Sequence, residues 1–251
     1  MILISLNTWG ARAGKENLLN FFKDHHETDV FCLQEIWNGG EHMEGKLAGG
    51  TKLKNITFKL FEEIGKTLTG HVGFFRPHFG DHYGLAIFVK KDLKILEEGE
   101  IFVYRERGYY STDELGNHAR NIQFVTLDLP QGVRTVVNFH GLWNGGGKFD
   151  SPDRLLQSDN ILGFLRNLTN PFVLCGDFNL LPETESLKKL EAFGLRNLIK
   201  EYGISSTRTK FYTKEHRFAD YALAGKGILV TDFKVLPDEI SDHLPLYLDF
   251  K

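Results

Sequence analysis

Cysteine is nearly absent. The chain has two in 251 residues, Cys32 and Cys175. Each lies in an apolar run with no CxxC spacing and no histidine nearby in sequence, which excludes a disulfide framework or a zinc site. Proline is also scarce, at seven, and no Pro/Ser-rich linker or short-period repeat interrupts the chain. No sign of charge dominates: 30 Lys plus Arg face 33 Asp plus Glu, for a net −3. A global field able to hold nucleic acid is therefore missing, and any such contact must be local. Long hydrophobic runs are missing too, because the longest, Leu85 to Val89, is far short of the roughly 20 residues needed to cross a bilayer. The apolar start, Met1 to Leu6, has no basic flank and no small-residue cleavage site. It reads as the first core strand of a cytoplasmic protein.

Glycine is plentiful, at 26, above the usual roughly 7%. With 41% hydrophobic and 25% charged residues, the composition fits a globular chain with a large core and excludes a disordered tail, a fibre or a coiled coil. Length permits one domain or two of about 125 residues. Without a linker, one domain over residues 1–251 is the simpler organisation.

Periodicity orders the elements. Ile2 to Leu6 reads as a strand, Glu16 to Asp24 as a helix, and Asp29 to Gln34 as a second buried strand, giving a β-α-β opening. Asn38 to Thr51 has no pattern and reads as a loop, and Lys54 to Leu68 as an amphipathic helix. Strands follow at Val72 to Phe75, Gly84 to Lys90, Ile101 to Tyr104, Arg120 to Leu129 and Val133 to Phe139, the last two joined by Pro130-Gln131-Gly132. Ser151 followed by Pro152 starts a helix that runs to about Leu168. After it come a buried strand at Phe172 to Cys175, a short helix at Ser186 to Phe193, and strands at Phe218 to Ala224, Ile228 to Val235 and Leu246 to Phe250. An α/β fold with two layered sheets packs these most simply.

Several strands end in an acid, an amide or a histidine: Asn7, Glu35, His140, Asp177 with Asn179, Asp220, and Asp242 with His243. Strand ends of an α/β protein converge on one rim, where ligands bind. Taken alone, Asn7 is a turn residue and His140 a satisfied core histidine as readily as either is functional. Together they are more specific. Four carboxylates on one rim repel by up to about 4 kcal/mol per pair at 4 Å, so they stay protonated or need a cation. Oxygen ligands without cysteine point to Mg²⁺ or Mn²⁺. Magnesium shares its shell with phosphate, and a carboxylate to orient water, an amide and an imidazolium then suit hydrolysis of a phosphate ester.

Leu6-Asn7-Thr8-Trp9, Leu33-Gln34-Glu35, Asn138-Phe139-His140, Gly176-Asp177-Phe178-Asn179 and Ser241-Asp242-His243 in this order resemble the endonuclease/exonuclease/phosphatase superfamily, the deoxyribonuclease-I-like fold, across essentially the whole chain. The resemblance implies a four-layered α/β sandwich, two mixed β-sheets face to face with helices outside. It implies that Glu35 binds the catalytic metal, Mg²⁺ or Mn²⁺, with Asn7 beside it and Asp242 as a further metal or water contact. Asp177 then orients and deprotonates the attacking water, Asn179 holds Asp177 or a phosphate oxygen, His140 and His243 hydrogen-bond the scissile phosphate, and Asp220 orients His243. Arg120 falls where relatives place a phosphate-contacting arginine. It is an ordinary strand-edge charge just as readily. Phe139 departs from the pattern, since many relatives carry Thr before the histidine.

Substrate identity stays open on these residues. Three segments are candidates for setting it: Asn38 to Gly70, Tyr104 to His118 with Arg105, Arg107, Tyr109 and Tyr110, and Gly141 to Asp153 with Trp143, Asn144 and Lys148 directly after His140. The last two offer cations and aromatics that suit an extended phosphodiester. The expectation is a monomeric Mg²⁺-dependent phosphodiester hydrolase acting on DNA or RNA. The alternatives are a phosphatase or phosphodiesterase on a small metabolite or lipid headgroup, and a catalytically dead scaffold.

Overall fold

The first apolar run forms strand β1 (Ile2–Asn7) and leads through a short 3-10 turn into helix α1 (Lys15–Asp24), which returns the chain to β2 (Val30–Trp37). A two-stranded ribbon, β3 (Leu47–Ala48) and β4 (Thr51–Lys52), precedes helix α2 (Leu60–Thr67). Strands β5 (His71–Phe79), β6 (Tyr83–Lys90), β7 (Lys94–Tyr104), β8 (Arg120–Leu129) and β9 (Gly132–His140) follow. The chain then forms α3 (Pro152–Leu165), β10 (Phe172–Asp177), α4 (Glu185–Ala192), β11 (Arg196–Asn197), α5 (Leu198–Glu201), β12 (Asp220–Ala224), β13 (Val230–Val235) and β14 (Leu246–Phe250). This computed structural model describes residues 1–48, 51–113 and 115–251. Gly49 and Gly50 of the 38–51 stretch, and Glu114 of the 104–118 segment, lie outside the described residues. No helix among the described residues is long and apolar enough to cross a membrane.

Two mixed six-stranded sheets face each other, ordered β13-β14-β1-β2-β6-β5 and β11-β12-β10-β9-β8-β7. This is the expected α/β sandwich. Strand β2 shows why its sequence is continuously apolar: Val30 and Cys32 join the core between the sheets, while Phe31 and Leu33 join the core under the helices. The alternation of period two buries both faces. Helices α1 and α2 cover the outer face of the first sheet with Leu18, Phe22, Leu60 and Ile64. Helices α3 and α4 add Ile161, Leu162, Leu187 and Leu190 to the core that includes the second sheet. Ser151 caps α3, its hydroxyl accepting from the Arg154 N–H at 3.3 Å with Pro152 in the first turn.

Each sheet contains one parallel pair, β1 with β2 and β9 with β10, amid antiparallel neighbours. The carboxyl ends of these four strands place Asn7, Glu35, His140 and Asp177 along one rim of the sandwich. Beside that rim the inter-sheet core turns polar. Gln34 donates to Asn138 Oδ1 at 2.7 Å, and Asn138 donates to the Leu33 and Ala86 carbonyls at 3.0 and 3.2 Å. Gln123 reaches the Phe74 carbonyl at 2.9 Å. These directional bonds link β8 and β9 to β2, β5 and β6, so the two halves of the rim are held in fixed register.

Four differences from the sequence-based expectation have local causes. The helix expected from Lys54 begins only at Leu60, because Asn55 is left-handed (φ 58°) and Leu53, Ile56 and Phe58 pack on Trp37 instead. The 38–51 stretch, expected as a loop, contributes the β3-β4 ribbon. Strand β7 starts seven residues before Ile101, at Lys94, as an edge strand whose polar residues hide its period. Finally, β11 and α5, of two and four residues, are too short to carry a periodic signal.

Candidate active site

Backbone irregularities aim the rim residues. Pairing of β2 with β6 slips between Leu33 and Ile36, and Glu35 within that bulge has φ 57°. A bulge re-aims a side chain, and here it turns the Glu35 carboxylate onto the rim. Gly176 precedes Asp177 because a Cβ there would lie 1.9 Å from the Phe139 carbonyl oxygen. Phe139 itself points into the core, edge-on to Phe178 at 5.1 Å.

Asn7 joins the two sheets, its amide donating to Asp177 Oδ2 at 2.9 Å and to Glu35 Oε1 at 3.1 Å. The other Asp177 oxygen accepts from the Asn179 backbone N–H at 2.8 Å, and the Asn179 amide donates to the Gly141 carbonyl at 3.2 Å. His243 donates from Nδ1 to Asp220 at 2.8 Å, and the Thr207 hydroxyl donates to Asp220 Oδ2 at 2.8 Å. That leaves His243 Nε2 facing the site, 3.6 Å from Asp177 Oδ2 and 3.6 Å from Asp242 Oδ1. His140 Nε2 lies 3.7 Å from the same Asp177 oxygen. The sequence-identified residues thus converge on Asp177.

Among the carboxylates, charge is distributed unevenly. Asp220 is committed to His243, and Asp242 Oδ2 accepts from the Arg208 guanidinium at 2.8 Å. Burial alone would raise the Asp177 pKa, but the positive charges of His243, Arg208 and Lys148 outweigh it and hold the group well below the usual carboxylate range. Glu35 moves the other way, raised by burial and by the negative charge of Asp242. Burial and Arg208 lower His243, yet Asp220, Asp242 and Asp177 together carry it above its ordinary value. His140 is pushed well down by burial and by Arg120, which keeps it neutral.

A cavity of about 320 Å³ opens over this cluster. Arg120, Trp143 and Lys148 all line it. Arg120 is only 2% exposed; one guanidinium nitrogen donates to the Gly116 carbonyl at 3.0 Å while Nε and Nη1 have no partner. Lys148 is buried, donates to the Phe218 carbonyl at 2.6 Å and sits 4.8 Å from the Tyr212 ring centre. Burial and Arg208 lower its pKa to about 7. Arg105, Arg107, Tyr109 and Tyr110 are not in the cavity wall. Arg105 stacks instead over Tyr104 and Tyr109, and Arg107 pairs with Glu100.

Arg208, Arg12 and Tyr83 line the cavity without having been identified from sequence. Arg208 lies in an aperiodic stretch and reaches the site through an isolated bridge to His243. Only tertiary pairing reveals it.

Asp177, Asp220 and His243 each place one ligand atom within 4.8 Å of the others. Asp220 is already saturated by His243 and Thr207, so this group is better described as an oriented histidine than as an ion cage. Glu35 and Asp242 fit a hard divalent cation better. They supply oxygen donors, Glu35 is destabilised as an anion, and Asp242 Oδ1 is buried without a hydrogen-bond partner.

The Endonuclease/Exonuclease/phosphatase family model matches residues 4–243. Among curated proteins none matches significantly. Of solved structures, an endonuclease/exonuclease/phosphatase from Bacteroides vulgatus superposes with a TM-score of 0.72 at 16% identity, covering 100% of this chain and 98% of its own. A mannosyl-6-phosphatase from Bacteroides thetaiotaomicron gives 0.72 at 17%, covering 100% and 99%. The human nocturnin catalytic domain, with a bound sulfate anion, gives 0.67 at 20%, covering 100% and 93%. Matched by the family model over nearly its whole length, the chain belongs to the Endonuclease/Exonuclease/phosphatase family of phosphoester hydrolases.

Proposed function

We propose that residues 1–251 work as one domain that hydrolyses a small phosphate ester with the aid of Mg²⁺ or Mn²⁺. The observation that carries this reading is an Asp177 held ionised among Asn7, Asn179, His140 and His243, beneath a cavity lined by Arg120, whose Nε and Nη1 are buried without a hydrogen-bond partner. Asp177 is the group that orients water for attack on phosphorus and takes its proton. His243, a cation paired with Asp220, donates from Nε2 to the phosphate oxygens as charge builds. His140 approaches the same centre as a neutral hydrogen-bonding group. Arg120 and Lys148 hold the anion from the cavity wall. Glu35 and Asp242, with Asn7 beside them, are the residues that would hold the metal, which supplies a positive charge that offsets the phosphate's.

The shape of the cavity supports a small ester as the substrate. Met43, Ala48, Leu53 and Ile56 wall one side of the cavity, and Arg105, Arg107, Tyr109 and Tyr110, expected to meet a long strand, stand outside it. Both features favour a small ester over a polynucleotide. The nuclease reading keeps one point in its favour, because Trp143 with Lys214 at 5.1 Å and Tyr212 with Lys148 form aromatic-cation pairs of the kind that hold a nucleotide end. With Mg²⁺ fixed, p-nitrophenyl phosphate or bis-p-nitrophenyl phosphate is expected to be hydrolysed with a higher kcat/KM than any single- or double-stranded DNA or RNA oligonucleotide. Faster cleavage of a polynucleotide would hand the site to the nuclease reading, and no hydrolysis of any of them would end the hydrolase reading.

Lys148 gives the grip a pH dependence. Its folded-state pKa of about 7 lies below the ordinary value, so its positive charge is present below pH 7 and lost as pH rises through it. The kcat/KM ratio of wild type to Lys148→Met is therefore expected to be largest at pH 6 and to fall toward one above about pH 8, since kcat/KM reports the free enzyme. A ratio constant from pH 5.5 to 9 would remove the lysine charge from substrate binding.

A further inference from the structure

The cavity has two ends of different chemistry. At its floor lie the carboxylates, histidines and cations described above. The other end is walled by Trp37, Met43, Leu53, Ile56, Phe79 and Leu115, none of which carries a charge. Together with Tyr83 and Phe58 these residues form an apolar cluster separate from the two cores of the sandwich. The cluster is built rather than incidental. Trp37 meets Phe58 edge-on at 5.1 Å and Tyr83 at 4.8 Å. The stretch that brings Met43 and Leu53 together is tied by backbone bonds from Gly45 to the Leu53 carbonyl at 2.7 Å and from Leu53 to the Lys46 carbonyl at 2.8 Å. Met43 and Leu53 are 5% and 6% exposed.

Continuity with the phosphate end identifies what this wall meets. A phosphate held by Arg120 and Lys148 leaves the rest of its ester inside the same cavity, against side chains that mostly pack, with Trp37, Tyr83 and His118 the groups beside them able to hydrogen-bond. We infer that the apolar end is the subsite for the alcohol part of the ester, and that the substrates are phosphate esters of hydrocarbon alcohols, aliphatic or aromatic, rather than of sugars. This rests on the hydrolase reading above. A sugar would lose water from several hydroxyls and find few partners on this wall, whereas each methylene or ring carbon packed there gains by leaving water.

The test uses alcohols of similar leaving ability, so that preference reports binding rather than bond reactivity. With purified full chain and Mg²⁺, n-hexyl phosphate and 2-phenylethyl phosphate are each expected to show kcat/KM at least about tenfold above glycerol 3-phosphate and mannose 6-phosphate. Ile56→Gln and Leu115→Gln, at half-buried positions where folding is least at risk, are each expected to lower the hexyl-to-glycerol ratio by about tenfold. Thermal melts identify any variant that has failed to fold, and then the other one decides. Equal kcat/KM across the series with p-nitrophenyl phosphate still hydrolysed, an unchanged ratio in folded variants, or fastest turnover of a sugar phosphate or a nucleoside phosphate would overturn the inference and leave the hydrolase standing. Loss of activity on every ester, p-nitrophenyl phosphate included, would instead strike the reading on which the inference rests.

Discussion

Asp177→Asn is expected to lower kcat by at least about 10², and up to about 10⁴, the range assigned to a positioned general base. The amide is nearly isosteric and keeps an acceptor for the Asn179 N–H, so KM should stay within a few-fold and the Tm within a few degrees. What is lost is a negative charge that His243 and His140 approach to 3.6 and 3.7 Å. Steady-state kinetics beside a thermal melt separate the two effects. A variant that turns over at the wild-type rate would show that the water is activated elsewhere. A variant that fails to fold would show Asp177 to be a tie between the sheets rather than a base.

Removal of divalent cation is the second change of large expected effect. The raised pKa of Glu35, from burial and Asp242, signals a site that resists its own negative charge, and the bare Asp242 oxygen adds an unmet acceptor. A cation that binds only the folded chain stabilises it by RT ln(1 + [L]/Kd), about 2.7 kcal/mol at a hundredfold excess over Kd. For a chain of this size that corresponds to a rise in Tm of about 5 to 11 °C between EDTA and saturating Mg²⁺ or Mn²⁺. Hydrolysis should fall to background under exhaustive chelation and return with the metal. Glu35→Gln should lose most of the Tm increment. Equal melting points with and without metal would argue against Glu35 and Asp242 as its ligands, and activity that survives chelation would overturn the metal dependence.

Most of the rim could be found from sequence because each member ends or begins a buried strand, where a polar residue interrupts an apolar run. Asn7 after Leu6, Asp177 after Gly176 and His140 after Phe139 are of this kind. The parts that escaped lack that contrast. Arg208 sits in a stretch of mixed polarity and is recruited by Asp242 from 34 residues away. Tyr83 begins a strand in which nothing marks it from its neighbours. The apolar wall escaped for a related reason: Met43, Leu53 and Ile56 are scattered through a glycine- and charge-rich segment, and only their meeting with Phe79 and Leu115 makes a surface of them. Arg105, Arg107, Tyr109 and Tyr110 show the converse. Their composition suggests a ligand surface, but Arg105, Arg107 and Tyr109 meet one another, Tyr104, Phe102 and Glu100, and Tyr110 meets Phe79 and His118.

In the first sheet β1 lies between β2 and β14, with Leu3 paired to Leu248 and Ile4 to Tyr247. A strand near the start of the sequence thus completes its hydrogen bonding only with one near its end. During synthesis β1 must wait with one edge open until about residue 250 is available, and contacts so distant in sequence close slowly. The Ser241 hydroxyl, which donates to the Asn7 carbonyl at 2.7 Å, repeats the closure at the rim itself. Because Asn7 and His243 stand on either side of that closure, no growing fragment that stops short of β14 can carry a working rim. Under the function proposed above, catalytic competence is expected only once the last hydrogen bonds of the sheet are made.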